Sequence, residues 1–442
     1  MDLKSKLSLL TRGPGATPSV ASSTSEPLAS PHAASSTLAE LREKMAKILD
    51  RAPLSPQLPR PLTATPRVGL EGYDLSALPF VREETELGPL FRRHQQLERS
   101  HHVGRMPVDA AAASRPELLG LLALDPRVSA CDLKRALYFD TETTGLGGGA
   151  GVLAFLVGLA WFDDSLRLHS EQLLLRSPAE EAPFLAALAQ HFERAEVLVS
   201  YNGKAFDLPL LNGRMVMNRR DKLPERAHLD LLHVARRLHK SRLGACRLIS
   251  LESEVLGFER GPDIAGADIA PRYAHFLRSG DGSVLSEVVE HNAWDVVSMA
   301  ALVGLYGEPF ELLHEADLVG LARTLKRARA FDEADHAANV ALERGAGPEA
   351  RRARAEIAKA RGDRAQALVH FEAFAAEVDD PQVRLELAKL YEHHVREPLS
   401  ALGWVEQGTS ELDEPSARRH ARLTRKVALA AAKAGRAGKA PP

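Results

Sequence analysis

Leu137-Tyr138-Phe139-Asp140-Thr141-Glu142-Thr143-Thr144-Gly145-Leu146 is the stretch that decides the architecture. An apolar run of the kind that forms a buried strand ends in two acids spaced i and i+2. In an extended strand such residues point to the same side, so Asp140 and Glu142 present two carboxylates to one spot. Like charges that close resist joint ionisation unless a cation lies between them, and hard divalent ions such as Mg²⁺ and Mn²⁺ prefer such oxygen ligands. The expectation is a metal site at the end of a central strand, completed by ligands further along the chain.

Downstream, two apolar segments (about 152–162 and 166–175), a helix over about 178–193 and the short strand Val197-Leu198-Val199-Ser200 predict a mixed sheet flanked by helices. The last strand runs into Tyr201-Asn202-Gly203-Lys204-Ala205-Phe206-Asp207, where Asn-Gly makes a turn and Asp207 opens a helix. Alone, Asp207 reads as a favourable charge at a helix N-terminus; beside Asp140 and Glu142 it becomes a third candidate ligand. A long helix from about 284 to 306 carries His291 and Asp295, which at i and i+4 share one face and supply a titratable base and a fourth acid. The glycine run from Gly145 to Gly151 lacks the Lys-Ser/Thr ending of a P-loop and reads as a hairpin loop or a close phosphate approach. His228, Asp230 and His233 match no familiar zinc spacing, and Asp230 fits an N-cap. Arg236, Arg237, His239, Lys240, Arg242 and Arg247 form a basic edge, either a solvated face or a phosphate-contacting surface. The basic stretch from Arg92 to His102 reads as solvated, and a helix is expected near 114–124.

The 442 residues contain 57 Lys+Arg against 59 Asp+Glu, so the chain as a whole has no basic signature, and nucleic-acid binding requires a local patch or metal-bridged phosphates. Its length predicts two or three domains. Two cysteines, Cys131 and Cys246, argue for a reducing compartment. With no signal-peptide pattern and no apolar run long enough to span a bilayer, the expected location is the cytoplasm, with no membrane partner.

Residues 1–70 are rich in Ala, Ser, Pro and Thr, a composition expected to be mostly disordered. A short helix near 38–51, with Thr37 and Glu40 as a capping box, would pack on the chain itself or on a partner. Residues 311–440 turn to Ala, Leu, Arg and Glu with helical periodicity. Ala334, Ala367 and Ala401 recur at spacings of 33 and 34, the period of tetratricopeptide helix pairs, whose concave surface suits a protein partner.

Taken in order, FDTETTGLGGGAG (139–151), YNGKAFDLPLL (201–211), HLDLLHVARRLHK (228–240), Asp263-Ile264-Ala265-Gly266 and EHNAWDVVSM (290–299) resemble the ribonuclease-H-like 3′–5′ exonuclease superfamily named for its four acids, DEDD, and within it the YprB-like branch. The resemblance implies a ribonuclease-H-like α/β domain over 71–307. It further implies that Asp140, Glu142, Asp207 and Asp295 hold two divalent ions, Mg²⁺ or Mn²⁺, with His291 as general base. Thr143, Gly145, Leu146, Asn202 and Phe206 become candidate substrate contacts. Three residues intervene between His291 and Asp295, where the histidine subgroup normally has four. The implied activity is hydrolysis of phosphodiester bonds, foremost as a 3′–5′ exonuclease on single-stranded DNA or RNA. The alternatives are a structure-specific endonuclease and a non-catalytic adaptor that binds nucleic acid or protein.

Overall fold

The computed structural model describes residues 72–145, 151–261, 263–308 and 313–437, the last four in backbone only. The expected segment 1–70 with its short helix, Leu146 and most of the glycine run lie outside the described residues.

Nine strands are present: β1 (Val81–Thr85), β2 (Gly88–Leu97), β3 (His102–Val103), β4 (Met106–Pro107), β5 (Ala136–Thr143), β6 (Ala154–Phe162), β7 (Leu168–Leu174), β8 (Val197–Ser200) and β9 (Ala227–Asp230). β3 and β4 form a small hairpin, and the rest make one sheet in the order β1-β2-β7-β6-β5-β8-β9. From β1 to β5 the neighbours are antiparallel; β5, β8 and β9 are parallel. The sheet therefore changes character at β5, and the carboxyl ends of three adjacent strands open on one edge, where α/β sheets place their sites.

The apolar run that marked β5 follows from burial on both faces. Ala136 and Tyr138 enter a cluster with Ala160, Val199 and Leu302. Leu137 and Phe139 enter a second cluster with Phe155, Leu188 and Phe192. The longer helices of this part are α1 (Pro116–Ala123), α2 (Glu181–Arg194), α3 (Asp207–Met217), α4 (Leu231–Leu238), α5 (Gly266–Ser279) and α6 (Ser286–Gly307). Phe184, Leu185, Leu188 and Phe192 form the buried stripe of α2, at the spacing an amphipathic helix requires. α6 is buried almost all round from Val296 to Gly307, as a helix between layers must be. The expected mixed sheet flanked by helices is what the chain forms.

Two details differ from the sequence reading. The segment before Asp230 is a strand, which the sequence reading did not assign, while Asp230 caps α4 as expected by accepting from the Leu232 N–H at 3.1 Å. The basic stretch at 92–94 is not wholly solvated: it lies on β2, and Arg93 is buried between β7 and α6.

Seven further helices follow: α7 (Glu315–Arg327), α8 (Phe331–Glu343), α9 (Pro348–Arg361), α10 (Arg364–Ala375), α11 (Pro381–Leu390), α12 (Pro398–Glu406) and α13 (Asp413–Ala437). Ala334, Ala367 and Ala401 are each the fourth residue of their helix, in α8, α10 and α12, and each is fully buried. This helical region is not a loose appendage, because Leu318, Leu321, Ala337 and Ile357 continue the cluster that lies under β5 and α6. Polar contacts pin the junction. Asp317 accepts from Arg242 at 2.7 Å and lies 3.0 Å from His239 Nδ1, while His239 Nε2 is 3.0 Å from the Tyr306 hydroxyl. His239 and Arg242, two members of the basic edge, are consumed in this docking. Among the described residues no helix is long and apolar enough to cross a membrane.

Gly320 lets α7 approach the end of α4. A Cβ there would lie 2.5 Å from the Leu238 carbonyl oxygen and 2.6 Å from that of Arg237, both backbone atoms that cannot swing aside. Gly320→Ala is therefore expected to destabilise the protein by about 1–3 kcal/mol, read as a lowered urea midpoint; an unchanged midpoint would show that the junction contributes little.

Candidate metal centre

β5 delivers the first two acids. Asp140 pairs in register with Gly158 and Glu142 with Leu156 on β6, so both project from one face, and the register shifts directly after Glu142. Thr141, between them, points to the opposite face and donates its hydroxyl proton to Asp207 Oδ1. Asp207 begins α3, and the turn before it brings that helix start under the end of β5. Asn202 sits there with φ +70°, a left-handed conformation that Asn tolerates. The N–H groups of Asn202 and Lys204 donate to the two Asp230 oxygens at 2.8 and 3.1 Å. Asp230 thus holds the turn as well as capping α4. Ser200 Oγ supports the same turn, accepting from the Gly203 N–H at 3.1 Å and lying 2.7 Å from His228 Nε2. Burial pushes His228 down to about 3, so this imidazole stays neutral inside the fold.

α6 crosses the same edge. His291 Nε2 lies 3.9 Å from Glu142 Oε1 and 3.5 Å from Asp295 Oδ2. Among the described residues, Glu142, His291 and Asp295 are the group whose ligand-capable atoms all fall within 4.8 Å of one another. Asp140 completes the neighbourhood: burial raises its carboxyl well above the usual range, and the charges of Asp295, Glu142 and Asp207 add to that rise. Burial pushes Glu142 up to about 8, with Asp295 and Asp207 adding and His291 opposing. Burial also raises Asp207, against the hydrogen bond from Thr141. Burial alone would lower His291, but Asp295, Glu142 and Asp263 outweigh it and hold the imidazole above its ordinary value.

Several partners had no signal in the sequence reading. Asp263 Oδ1 is 2.7 Å from His291 Nδ1 and turns the other ring nitrogen toward the acids. Arg260 donates to Asp295 Oδ1 and forks onto Glu252, with Nε to Oε2 at 2.7 Å and Nη2 to Oε1 at 2.6 Å. Glu252 is fully buried in a π-helical turn (Glu252–Leu256), a local geometry often found at functional sites. Asn292 Nδ2 donates to Asp140 Oδ2 at 3.0 Å. The sequence offered Asn292 and Asp263 only as members of matching motifs, while Arg260 lies in irregular chain and Glu252 in a short turn, neither with a readable periodicity.

The expected substrate contacts scatter around this centre. Phe206 is 59% exposed immediately before Asp207. The Thr143 hydroxyl donates to the Gly145 carbonyl oxygen at 3.0 Å and shapes the chain leaving β5. Asn202 acts through its backbone in the turn. His233 is exposed while His228 and Asp230 are buried, so these three do not form a second centre.

The donor set fits divalent cations. Glu252, Asp263 and Asp295 contact the Arg260 guanidinium, Glu142, Asp263 and Asp295 lie around the His291 imidazole, and the charges of Asp140 and Asp207 act on the same acids. Arg260 engages Oδ1 of Asp295 and leaves Oδ2 facing His291. Carboxylate oxygens with a single imidazole suit Mg²⁺ or Mn²⁺ better than softer ions.

The class of domain this geometry defines also shows in comparison with known proteins. The family model of the RNase_H superfamily matches residues 137–306, from β5 through α6. A curated relative is the uncharacterized protein YprB of Bacillus subtilis (strain 168), 41% identical over 167 residues, which is 37% of this chain and 40% of YprB. The match thus spans well under two thirds of that relative's length. The solved family B DNA polymerase of the archaeon Pyrobaculum calidifontis aligns with 45% of this chain and 29% of its own, at 14% identity and a TM-score of 0.31, too slight a likeness to carry an argument.

Metal-free protein should lose stability as pH rises from about 4.5, the ordinary Glu value, to about 8. Over that window Glu142 ionises in the unfolded chain but stays protonated in the fold. Mg²⁺ should restore the loss, so the rise in melting temperature on adding it is expected to be larger at pH 8 than at pH 5. Glu142→Gln should flatten the pH trend. A metal increment independent of pH would show that the acids do not exchange protons for the ion.

Proposed function

We propose that this protein is a metal-dependent phosphodiesterase acting on nucleic acid, most specifically a 3′–5′ exonuclease on single-stranded DNA or RNA. The observation that carries the reading is the group Glu142, His291 and Asp295, whose ligand-capable atoms lie within 4.8 Å of one another, with Asp140 and Asp207 acting on it through charge and Asp140, Glu142 and Asp207 all raised. Asp140, Glu142, Asp207 and Asp295 would hold two divalent ions, which when bound lower the pKa of a water and stabilise the leaving oxygen. The remaining work falls to the chain itself. Asp263 orients His291 so that Nε2, on the acid side, accepts the proton of the attacking water. Exposed Phe206 offers a ring for a base to stack on.

Arg236, Lys240 and Arg247 remain exposed after Arg237, His239 and Arg242 are drawn into the fold, and among the described residues they form no ion pair. Arg236 acts electrostatically on Tyr201 and Cys246, and the Tyr201 hydroxyl donates to the Cys246 carbonyl oxygen at 2.7 Å. These cations therefore flank the turn that leads to Asp207, and they suit a phosphate backbone.

One observation favours a second reading. Arg260 already neutralises Asp295, as it would in a non-catalytic adaptor. The rest of the proposal comprises a nuclease domain over 71–307, a tetratricopeptide-like arm over 311–440 that docks a protein, and a cytoplasmic location.

Single-stranded oligonucleotides labelled at the 5′ or 3′ end, and circular ones, test the reading in Mg²⁺ or Mn²⁺. Release of mononucleotides from the 3′ end with circles spared is expected, and Asp140→Asn should lower the rate by at least about 100-fold. Cleaved circles would turn the reading to an endonuclease, and no hydrolysis of any substrate would leave the adaptor. In binding assays, the triple variant Arg236→Glu, Lys240→Glu, Arg247→Glu should weaken affinity and reduce the slope of log K against log salt by about 2, as expected for three lost single-strand phosphate contacts; an unchanged slope would remove this surface from the substrate path.

A further inference from the structure

A row of residues crosses four adjacent strands in register: Arg93 on β2 faces Gln172 on β7, Gln172 faces Gly158 on β6, and Gly158 faces Asp140 on β5. Neighbouring strands lie about 4.8 Å apart, so Gln172 and Asp140 are roughly 10 Å from each other and cannot touch. Gly158 leaves the intervening place without a side chain, and Asn292 descends from α6 to fill it. A Cβ at position 158 would lie 2.4 Å from Asn292 Oδ1.

The hydrogen bonds along this row run in one direction only. Arg93 can donate but not accept, and its Nη1 donates to Gln172 Oε1 at 3.1 Å. The oxygen of Gln172 is thereby assigned, and its Nε2 donates to the Val289 carbonyl oxygen at 2.8 Å and to Asn292 Oδ1 at 2.9 Å. Asn292 must then turn its own Nδ2 to Asp140 Oδ2. The chain begins on a cation, ends on a carboxylate, and every dipole between them points the same way, an arrangement in which each bond strengthens the next. Arg93, Gln172 and Asn292 are all buried, so the polarity is shielded from water. Arg93 is itself held by Glu290 at 2.9 Å, the residue directly before His291 on α6.

We infer that Asn292, Gln172 and Arg93 are positioning residues that occupy Asp140 Oδ2 with a fixed donor and leave Oδ1 as the atom available to a metal ion, and that Gly158 is required because it makes room for Asn292. This rests on the reading of Asp140 as a metal ligand. The relay does not touch substrate. It acts through one carboxylate, and it carries the set of that carboxylate from an outer strand of the sheet across two intervening strands.

The test is Mn²⁺ binding to the full chain, by calorimetry and by the electron paramagnetic resonance of the bound ion, with folding followed by circular dichroism. Asn292→Ala removes the donor. Gly158→Ala removes no polar group and only displaces Asn292. Both are expected to weaken Mn²⁺ binding by about 10–100-fold and to change the resonance in the same way. Arg93→Leu, at the far end of the row, should give a smaller loss in the same direction, and it decides the matter alone if the two inner variants do not fold. If the wild type binds Mn²⁺ and the folded variants bind it equally well, the relay is overturned while the proposed function stands. If the wild type binds no Mn²⁺, both fall together.

Discussion

Like charges gathered away from water dominate this structure. Glu142 and Asp295 meet around His291, the charges of Asp140 and Asp207 act on them, and each ionised carboxylate there costs free energy both through its own desolvation and through the others. The fold answers with one specific neighbour for three of the four. Asn292 donates to Asp140, Thr141 to Asp207 and Arg260 to Asp295. Glu142 has no such donor. Its closest charged contact is His291 at 3.9 Å, too long for a hydrogen bond, and it is the carboxyl pushed up to about 8.

The geometry that gathers these acids follows from the change of strand direction at β5. The three parallel strands β5, β8 and β9 direct their carboxyl ends to one edge. From that edge emerge Asp140 and Glu142 themselves, the turn to Asp207, and Asp230, which clamps that turn through two backbone N–H groups. α6 then brings His291, Asn292 and Asp295 across the same opening on successive turns of one helix. Because α6 is buried on nearly all sides and its cluster continues into α7, α8 and α9, the helical region stiffens the wall that carries three of the site's side chains.

Much of this was legible beforehand, for physical reasons. Two acids at i and i+2 on an apolar run define a strand face, and a His and an Asp at i and i+4 define a helix face, so Asp140, Glu142, His291 and Asp295 could be paired from periodicity alone. What periodicity cannot report is contact between segments distant in sequence. Arg93 looked like one of several solvated cations because its partner Gln172 lies 79 positions away. β9 is only four residues long and runs straight into α4, so its strand character left no pattern to read. Arg260 and Asp263 occupy irregular chain, and Glu252 a short π-helical turn. Gly158 did carry a signal, since a glycine inside a buried strand marks a close approach, but the sequence does not say that the approaching group is Asn292.

The positions of Arg260 and Glu142 together determine how a cation would enter on the hydrolase reading. Arg260 is forked onto Glu252, which is fully buried and would be left as an uncompensated charge if the guanidinium withdrew. Displacing Arg260 from Asp295 is therefore expensive, and Asp295 keeps its second oxygen free in any case. The protons held by Asp140 and Glu142 are not tied in this way. They are present because burial, and after it the neighbouring charges, disfavour ionisation, and they leave as soon as a stronger positive charge takes their place. An entering ion would thus exchange with protons rather than with the arginine, and Arg260 would remain as a fixed counter-ion that keeps the metal-free site folded and the metal-loaded site from carrying excess negative charge.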